Sequence, residues 1–173
     1  MKRLFFALPC PNSTRRAVLD WREHNLTRLK RHWVPEPNLH ITLAFIGGVE
    51  DERLDALFRL GDQLEARGFQ LTLDKVGQFG RGKYVWLGPS RVPSELGELV
   101  KTMNQALSEM GFPVDKRAYV PHLTVAKKAP PVTLPWAPEG IEMPVHSFAL
   151  YESVPVDKGV RYDVQKQWPL RKT

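Results

Sequence analysis

Two stretches decide the reading of this chain: Pro37-Asn38-Leu39-His40-Ile41-Thr42-Leu43 and Val120-Pro121-His122-Leu123-Thr124-Val125, whose histidines stand 82 positions apart (122 − 40). Each sets a His and a Thr two places apart within an apolar run. Two is the side-chain period of a β-strand, so each His shares a face with its Thr while Ile41, Leu43, Leu123 and Val125 turn toward a core. With eight Thr in 173 residues, a Thr two places after a given His is about a 5% event. Two such hits among five histidines arise by chance on the order of 2% of the time, so the pair reads as a weak internal repeat. The plainer alternative is two hydrogen-bonded strand histidines without chemistry.

On either side of these stretches, period 2 and period 3.6 alternate between proline and glycine punctuation. Arg3 to Leu8 reads as a buried strand. Pro11, Asn12 and Ser13 offer capping chemistry for a helix to about His32, with Val18, Trp21 and Leu29 inward and a basic outer face. A second helix sets Leu54, Leu57, Phe58, Gly61 and Leu64 on one face and closes at Gly68. Phe69 to Leu73 and Lys83 to Leu87 are expected to pair as one hairpin through the connection at 77–82. Pro93 opens a third helix bearing Leu96, Leu99, Val100, Met103, Leu107 and Met110, ended by Gly111. Tyr119 to Lys127 reads as strand, 130–144 as a proline-rich surface loop, and Val145 to Glu152 pairs with Val160 to Trp168 across the turn at 155–159. The count favours an α+β fold.

A length of 173 residues means one domain or at most two small lobes, enough for a real core. Hydrophobic content of 42% with 25% charged residues excludes a disordered or fibrous chain. A net charge of +6 points to an anionic partner, with nucleic acid, nucleotide and anionic membrane all open. The single cysteine, Cys10, excludes an internal disulfide and a cysteine-built zinc site and suits a reducing compartment. Lys2, Arg3 and the apolar run to Leu8 imitate a secretory signal, but Pro9 ends the run too early, and no stretch approaches membrane-spanning length. A cytoplasmic protein is expected.

Phosphodiester hydrolysis needs one group to take a proton from water and another to give one to the departing alkoxide. Histidine, with an unperturbed pKa near 6.5, serves either role at neutral pH. Thr42 and Thr124 would hydrogen-bond the non-bridging oxygens, and Lys127 could share the developing charge. The scheme needs no metal.

Paired His-x-Thr-x strands mark the 2H phosphoesterase superfamily, and the chain resembles its bacterial RNA 2′,3′-cyclic phosphodiesterase branch, the LigT-like 2′-5′ RNA ligases. Arg3-Leu4-Phe5-Phe6-Ala7-Leu8, Val34-Pro35-Glu36-Pro37-Asn38-Leu39, Gly77-Gln78-Phe79 and Val85-Trp86-Leu87-Gly88 are similar to that branch as well. The resemblance implies a bilobal α+β fold with pseudo-two-fold arrangement over residues 1–173. Each lobe would be a mainly antiparallel sheet with helices on its outer face, giving one motif strand to a central cleft. It implies His40 as proton donor to the leaving 3′ oxygen and His122 as acceptor from water, opening a 2′,3′-cyclic phosphate to a 2′-phosphate. Reversible, ATP-independent 2′-5′ joining is also implied. RNA or nucleotides with cyclic ends would be the partners of a monomer needing no cofactor. Lys127 stands where relatives often carry Arg, a point charge in place of a bidentate fork.

Two rival readings remain. Gly77 to Tyr84 spells a near P-loop, opposed by Tyr84 in the place of the magnesium-binding Ser or Thr and by the strand-like Val85-Trp86-Leu87 that follows; Lys83 or Arg81 could still touch RNA. A non-enzymatic RNA-binding module would use Arg15, Arg16, Arg28 to Arg31 and exposed Tyr84, Trp86 or Tyr119. His24, His32 and His146 lack the repeated Thr and read as structural or surface residues.

Overall fold

The computed structural model describes residues 1–172. In chain order these form β1 (Lys2–Pro9), α1 (Asn12–Asn25), β2 (His40–Val49), α2 (Leu54–Gln63), β3 (Phe69–Leu73), β4 (Lys75–Phe79), β5 (Tyr84–Gly88), α3 (Ser94–Glu109), β6 (Leu123–Lys127), β7 (Ile141–Val145), β8 (Ser147–Pro155) and β9 (Val160–Pro169). Seven strands make one sheet in the order β4-β5-β6-β2-β1-β8-β9, and β3 pairs with β7 apart from it. Every strand pair is antiparallel, so the fold is α+β as expected.

The seam of the large sheet matters most for the site. β2 and β6 meet at a single registered pair, Ile41 opposite Leu123. Beyond it β6 changes partner: Val34 donates its N–H to Val125 O at 3.0 Å, and Trp33 bridges Ala126. The sheet therefore splays into β4-β5-β6 and β2-β1-β8-β9, hinged on the middle residue of each His-x-Thr motif. Buried side chains of both parts, among them Leu4, Phe6, Leu43, Leu87, Met103, Val125 and Phe148, still form one continuous core.

Several expectations need correction. The first helix stops at Asn25, and Thr27–His32 winds as a 3₁₀-helix. The segment kinks at Leu29, whose φ of −102° and ψ of 16° are not helical, and both Leu26 and Leu29 are buried. Pro11 occupies the N-cap without any side-chain cap bond. The helix is also not basic only on its outer face: Arg22 is 4% exposed and donates from Nη1 to Val34 O at 2.7 Å and Val125 O at 3.0 Å.

Phe69–Leu73 does not pair with the Lys83 to Leu87 region. It pairs with β7, which takes up the end of the expected proline-rich loop and Val145, expected to begin the next strand, while β5 pairs with β4. β4 carries no apolar alternation because it is largely exposed, and its Gly77 is required by a ring: a Cβ there would come within 2.3 Å of Trp86. β7 does alternate, Ile141, Met143 and Val145 inward, but Pro144 and the prolines that precede the strand masked the period. β6 starts at Leu123, so Tyr119 to His122 is an extended approach rather than strand. Gly80 to Lys83 is a hairpin turn with Gly80, Arg81 and Gly82 at φ of 62°, 59° and 91°. Strand follows strand there, which removes the P-loop reading.

Candidate active site

Antiparallel register about Ile41 and Leu123 carries His40 alongside Thr124 and Thr42 alongside His122, all four on the face opposite the buried pair. They line one cavity of about 1090 Å³, together with Lys127. The two motifs are thus related by a local two-fold axis through their central residues.

The ring geometry repeats. His40 Nδ1 lies 2.7 Å from Asn38 O, and His122 Nδ1 lies 2.7 Å from Val120 O. A carbonyl only accepts, so Nδ1 carries the proton in each and Nε2 is left for chemistry. Nε2 of His40 accepts from the Thr42 hydroxyl at 3.0 Å. Asn38 is itself buried and donates to Val160 O at 2.9 Å, which ties the approach to the first motif to β9. Tyr119 donates its hydroxyl to Thr42 O at 2.8 Å, joining the approach of the second motif to the first, and burial raises that phenol's pKa.

Each imidazole is wedged between two aromatic rings. His40 has Phe5 at 5.1 Å and Tyr162 edge-on at 5.1 Å; His122 has Phe79 edge-on at 5.0 Å and Trp86 at 6.0 Å. Trp86 can sit beside His122 because Gly77 and Gly88 leave its ring room.

The surroundings differ in charge and burial. Burial pushes the His40 pKa down to about 4; the bond to the Asn38 carbonyl works against this, and the charges of Lys127 and His122 reinforce it. His40 is therefore neutral at pH 7 in the free protein. Lys127 donates from Nζ to the Tyr162 hydroxyl at 3.5 Å.

Of the residues singled out by sequence, His40, Thr42, His122, Thr124, Lys127, Tyr84 and Tyr119 reach the cavity, whereas Arg15, Arg16, Arg28, Lys30, Arg31, Arg81, Lys83, His24, His32 and His146 do not. Trp86 is 5% exposed, a support for His122 rather than a free stacking surface. Sequence reasoning missed Tyr162, Asn38, Phe45 and Arg117 as cavity residues. Asn38 stood within the motif stretch two places before His40 without a role assigned to it, and Phe45 lies in the strand that carries the first motif. Among the described residues no group of three or more His, Cys, Asp or Glu could hold a metal ion, and no helix is long and apolar enough to cross a membrane.

The family model for the 2′-5′ RNA ligase superfamily matches residues 10–155. The chain belongs to that superfamily. It is 34% identical over 170 residues to the RNA 2′,3′-cyclic phosphodiesterase of Escherichia coli K12, covering 98% of this chain and 97% of the relative. The enzyme of the same name from Thermus thermophilus is 30% identical over 182 residues, covering 98% and 90%. The crystal structure of E. coli LigT complexed with 3′-AMP superposes with a TM-score of 0.90 at 34% identity, over 98% of each chain. The superfamily assignment spans both motif strands and the seam between them.

Proposed function

We propose that the protein is an RNA 2′,3′-cyclic phosphodiesterase that opens a terminal cyclic phosphate to a 2′-phosphate by two-histidine acid–base catalysis. One observation carries the reading: two imidazoles, each pinned at Nδ1 to the carbonyl two residues back, share one cavity with both motif threonines. Relatives of that name at 30–34% identity over nearly the whole chain support it.

In this reading His122 Nε2 takes a proton from water as the new P–O bond forms. The P–O3′ bond breaks on the opposite side, and His40 Nε2–H delivers a proton to the leaving 3′ oxygen. Thr42 and Thr124 hydroxyls and Lys127 hold the non-bridging oxygens. Since His40 is neutral in the free protein, its donor role requires a proton that arrives with the anionic substrate. With a 5′-hydroxyl in place of water, the same step, P–O5′ forming as P–O3′ breaks, gives 2′-5′ joining without ATP.

Phe45, Phe79 and Tyr84, all exposed, line the cavity and suit stacking by unpaired bases. We read the chain as a single domain of two lobes about this cleft, working as a monomer because both motifs come from one chain, and in the cytoplasm.

The test incubates the protein with a cyclic-ended oligonucleotide and a chelator. The expected product is the 2′-phosphate, lost in His40→Ala and His122→Ala by about 10²–10⁴-fold each. Full activity in either variant refutes the mechanism. Affinity for RNA without turnover would mark a binding module instead.

A further inference from the structure

We infer that Tyr162 is a positioning residue that holds Lys127 over the phosphate and keeps the His40 ring in place, coupling the two parts of the splayed sheet across the cleft. The inference rests on the cyclic phosphodiesterase reading for its catalytic consequence, though not for the coupling itself. Tyr162 comes from β9 and Lys127 from β6, strands that lie in different parts of the sheet and do not pair. The link between the two residues runs through side chains: Lys127 Nζ donates to the Tyr162 hydroxyl at 3.5 Å and stands 5.9 Å from its ring centre.

The same ring stands edge-on to His40 at 5.1 Å and 86°, and edge-on to Phe5 at 5.0 Å and 77°. One phenol thus touches the general acid through its ring and the phosphate-binding cation through its oxygen. The groups facing it are accounted for. Lys127 and His122 are the charges that act on His40, and no carboxylate of the described residues pairs with Lys127.

A lysine needs such a partner more than an arginine would. Its ammonium is a single point on a four-carbon stem with no planar fork to set its direction, and much rotamer freedom is lost on fixing it. The Tyr162 oxygen gives Nζ a fixed resting point in the cavity that Thr42 and Thr124 also line. When a phosphate oxygen arrives, Nζ has only to exchange one oxygen acceptor for another.

Tyr162→Phe removes the oxygen and keeps the ring. Two measurements are made on it, on Lys127→Met and on the double variant: hydrolysis of a 2′,3′-cyclic-ended oligonucleotide, and the titration of His40 followed by the NMR signal of its ring. Tyr162→Phe is expected to lower kcat/KM about tenfold, with no further loss when added to Lys127→Met. The His40 midpoint should rise in each single variant, because the nearby positive charge has been released or removed, and should rise no further in the double. Equal activity and an unshifted His40 midpoint in Tyr162→Phe would overturn the inference, as would fully additive losses. If the parent fails to hydrolyse the substrate, the functional reading fails, and the titration in the three variants still decides whether Tyr162 sets Lys127.

Discussion

Anion binding should return the lost proton to His40. In the free protein its pKa stands at about 4 against an ordinary 6.5, a gap of about 3 kcal/mol against the charged ring. One anionic charge at about 4 Å, in an environment of effective dielectric near 20, is worth about 4 kcal/mol. Lys127 and His122 supply part of the repulsion, and an anion between them screens it as well. The attraction exceeds the deficit, so a bound phosphate-like anion lifts His40 to at least its ordinary value and makes it the protonated partner at neutral pH. Sulfate is the suitable probe because its charge is fixed across the whole range. Histidine ring signals followed from pH 3.5 to 8.5 should show His40 titrating near 4 alone and at or above 6.5 with saturating sulfate. A His40 midpoint that stays below 5 in saturating sulfate would refute the argument and pass the donor role to His122.

The same depression has a stability consequence: an unfolded chain binds a proton on this histidine from pH 6.5 downward while the native state resists until about 4. The stability His40 lends by staying neutral is therefore complete above about pH 6.5 and lost as pH falls toward 4, so melting temperature should drop over that window less in sulfate than in chloride. Gly77→Ala drives a Cβ to 2.3 Å from the Trp86 ring; overpacking of about 1–3 kcal/mol should lower the melting temperature and, by tilting the support of His122, cut kcat. Gly97→Ala, with open space around it, should do neither. Arg22→Met leaves the Val34 carbonyl without its donor, and a loss of about 2 kcal/mol should appear as several degrees by calorimetry. If the hydroxyls hold phosphate as proposed, Thr42→Val and Thr124→Val should each delete one hydrogen bond to a charged oxygen, about 1.5–3 kcal/mol, read as a roughly 10- to 150-fold fall in kcat/KM; unchanged rates in both would remove the hydroxyls from phosphate binding.

What was legible in the sequence was local. Period 2 around His40 and His122 implied that His and Thr share a face, and the helical faces of α2 and α3 matched the buried Leu57, Gly61, Leu96, Leu99, Val100, Met103 and Leu107. Pairing was not legible where it depended on distant partners. β4 has no apolar alternation, since it is an exposed edge strand whose one required residue, Gly77, is dictated by a tryptophan on the neighbouring strand. β7 hid behind Pro144 and the prolines before it, although Pro144 sits harmlessly on a two-stranded ribbon. Arg22 read as one more basic residue on a helix, because nothing nearby announces that two carbonyls 12 and 103 positions away will claim its guanidinium. Tyr162 likewise sits in an ordinary alternating strand, and only the folding of β9 against Asn38 and His40 makes it part of the cleft.

The symmetry of the two motifs and the asymmetry of their surroundings answer different needs. A single pair, Ile41 and Leu123, is enough to set two imidazoles and two hydroxyls around one point, and the repeated Nδ1 contact to a carbonyl two residues back aims both Nε2 atoms without further help. Burial first, and then the charges of Lys127 and His122, disfavour the protonated form of His40, and a bound anion opposes all three. On the proposed mechanism, a donor charged only when phosphate is present keeps no unpaired positive charge in a buried pocket and is ready at the moment the leaving oxygen needs its proton.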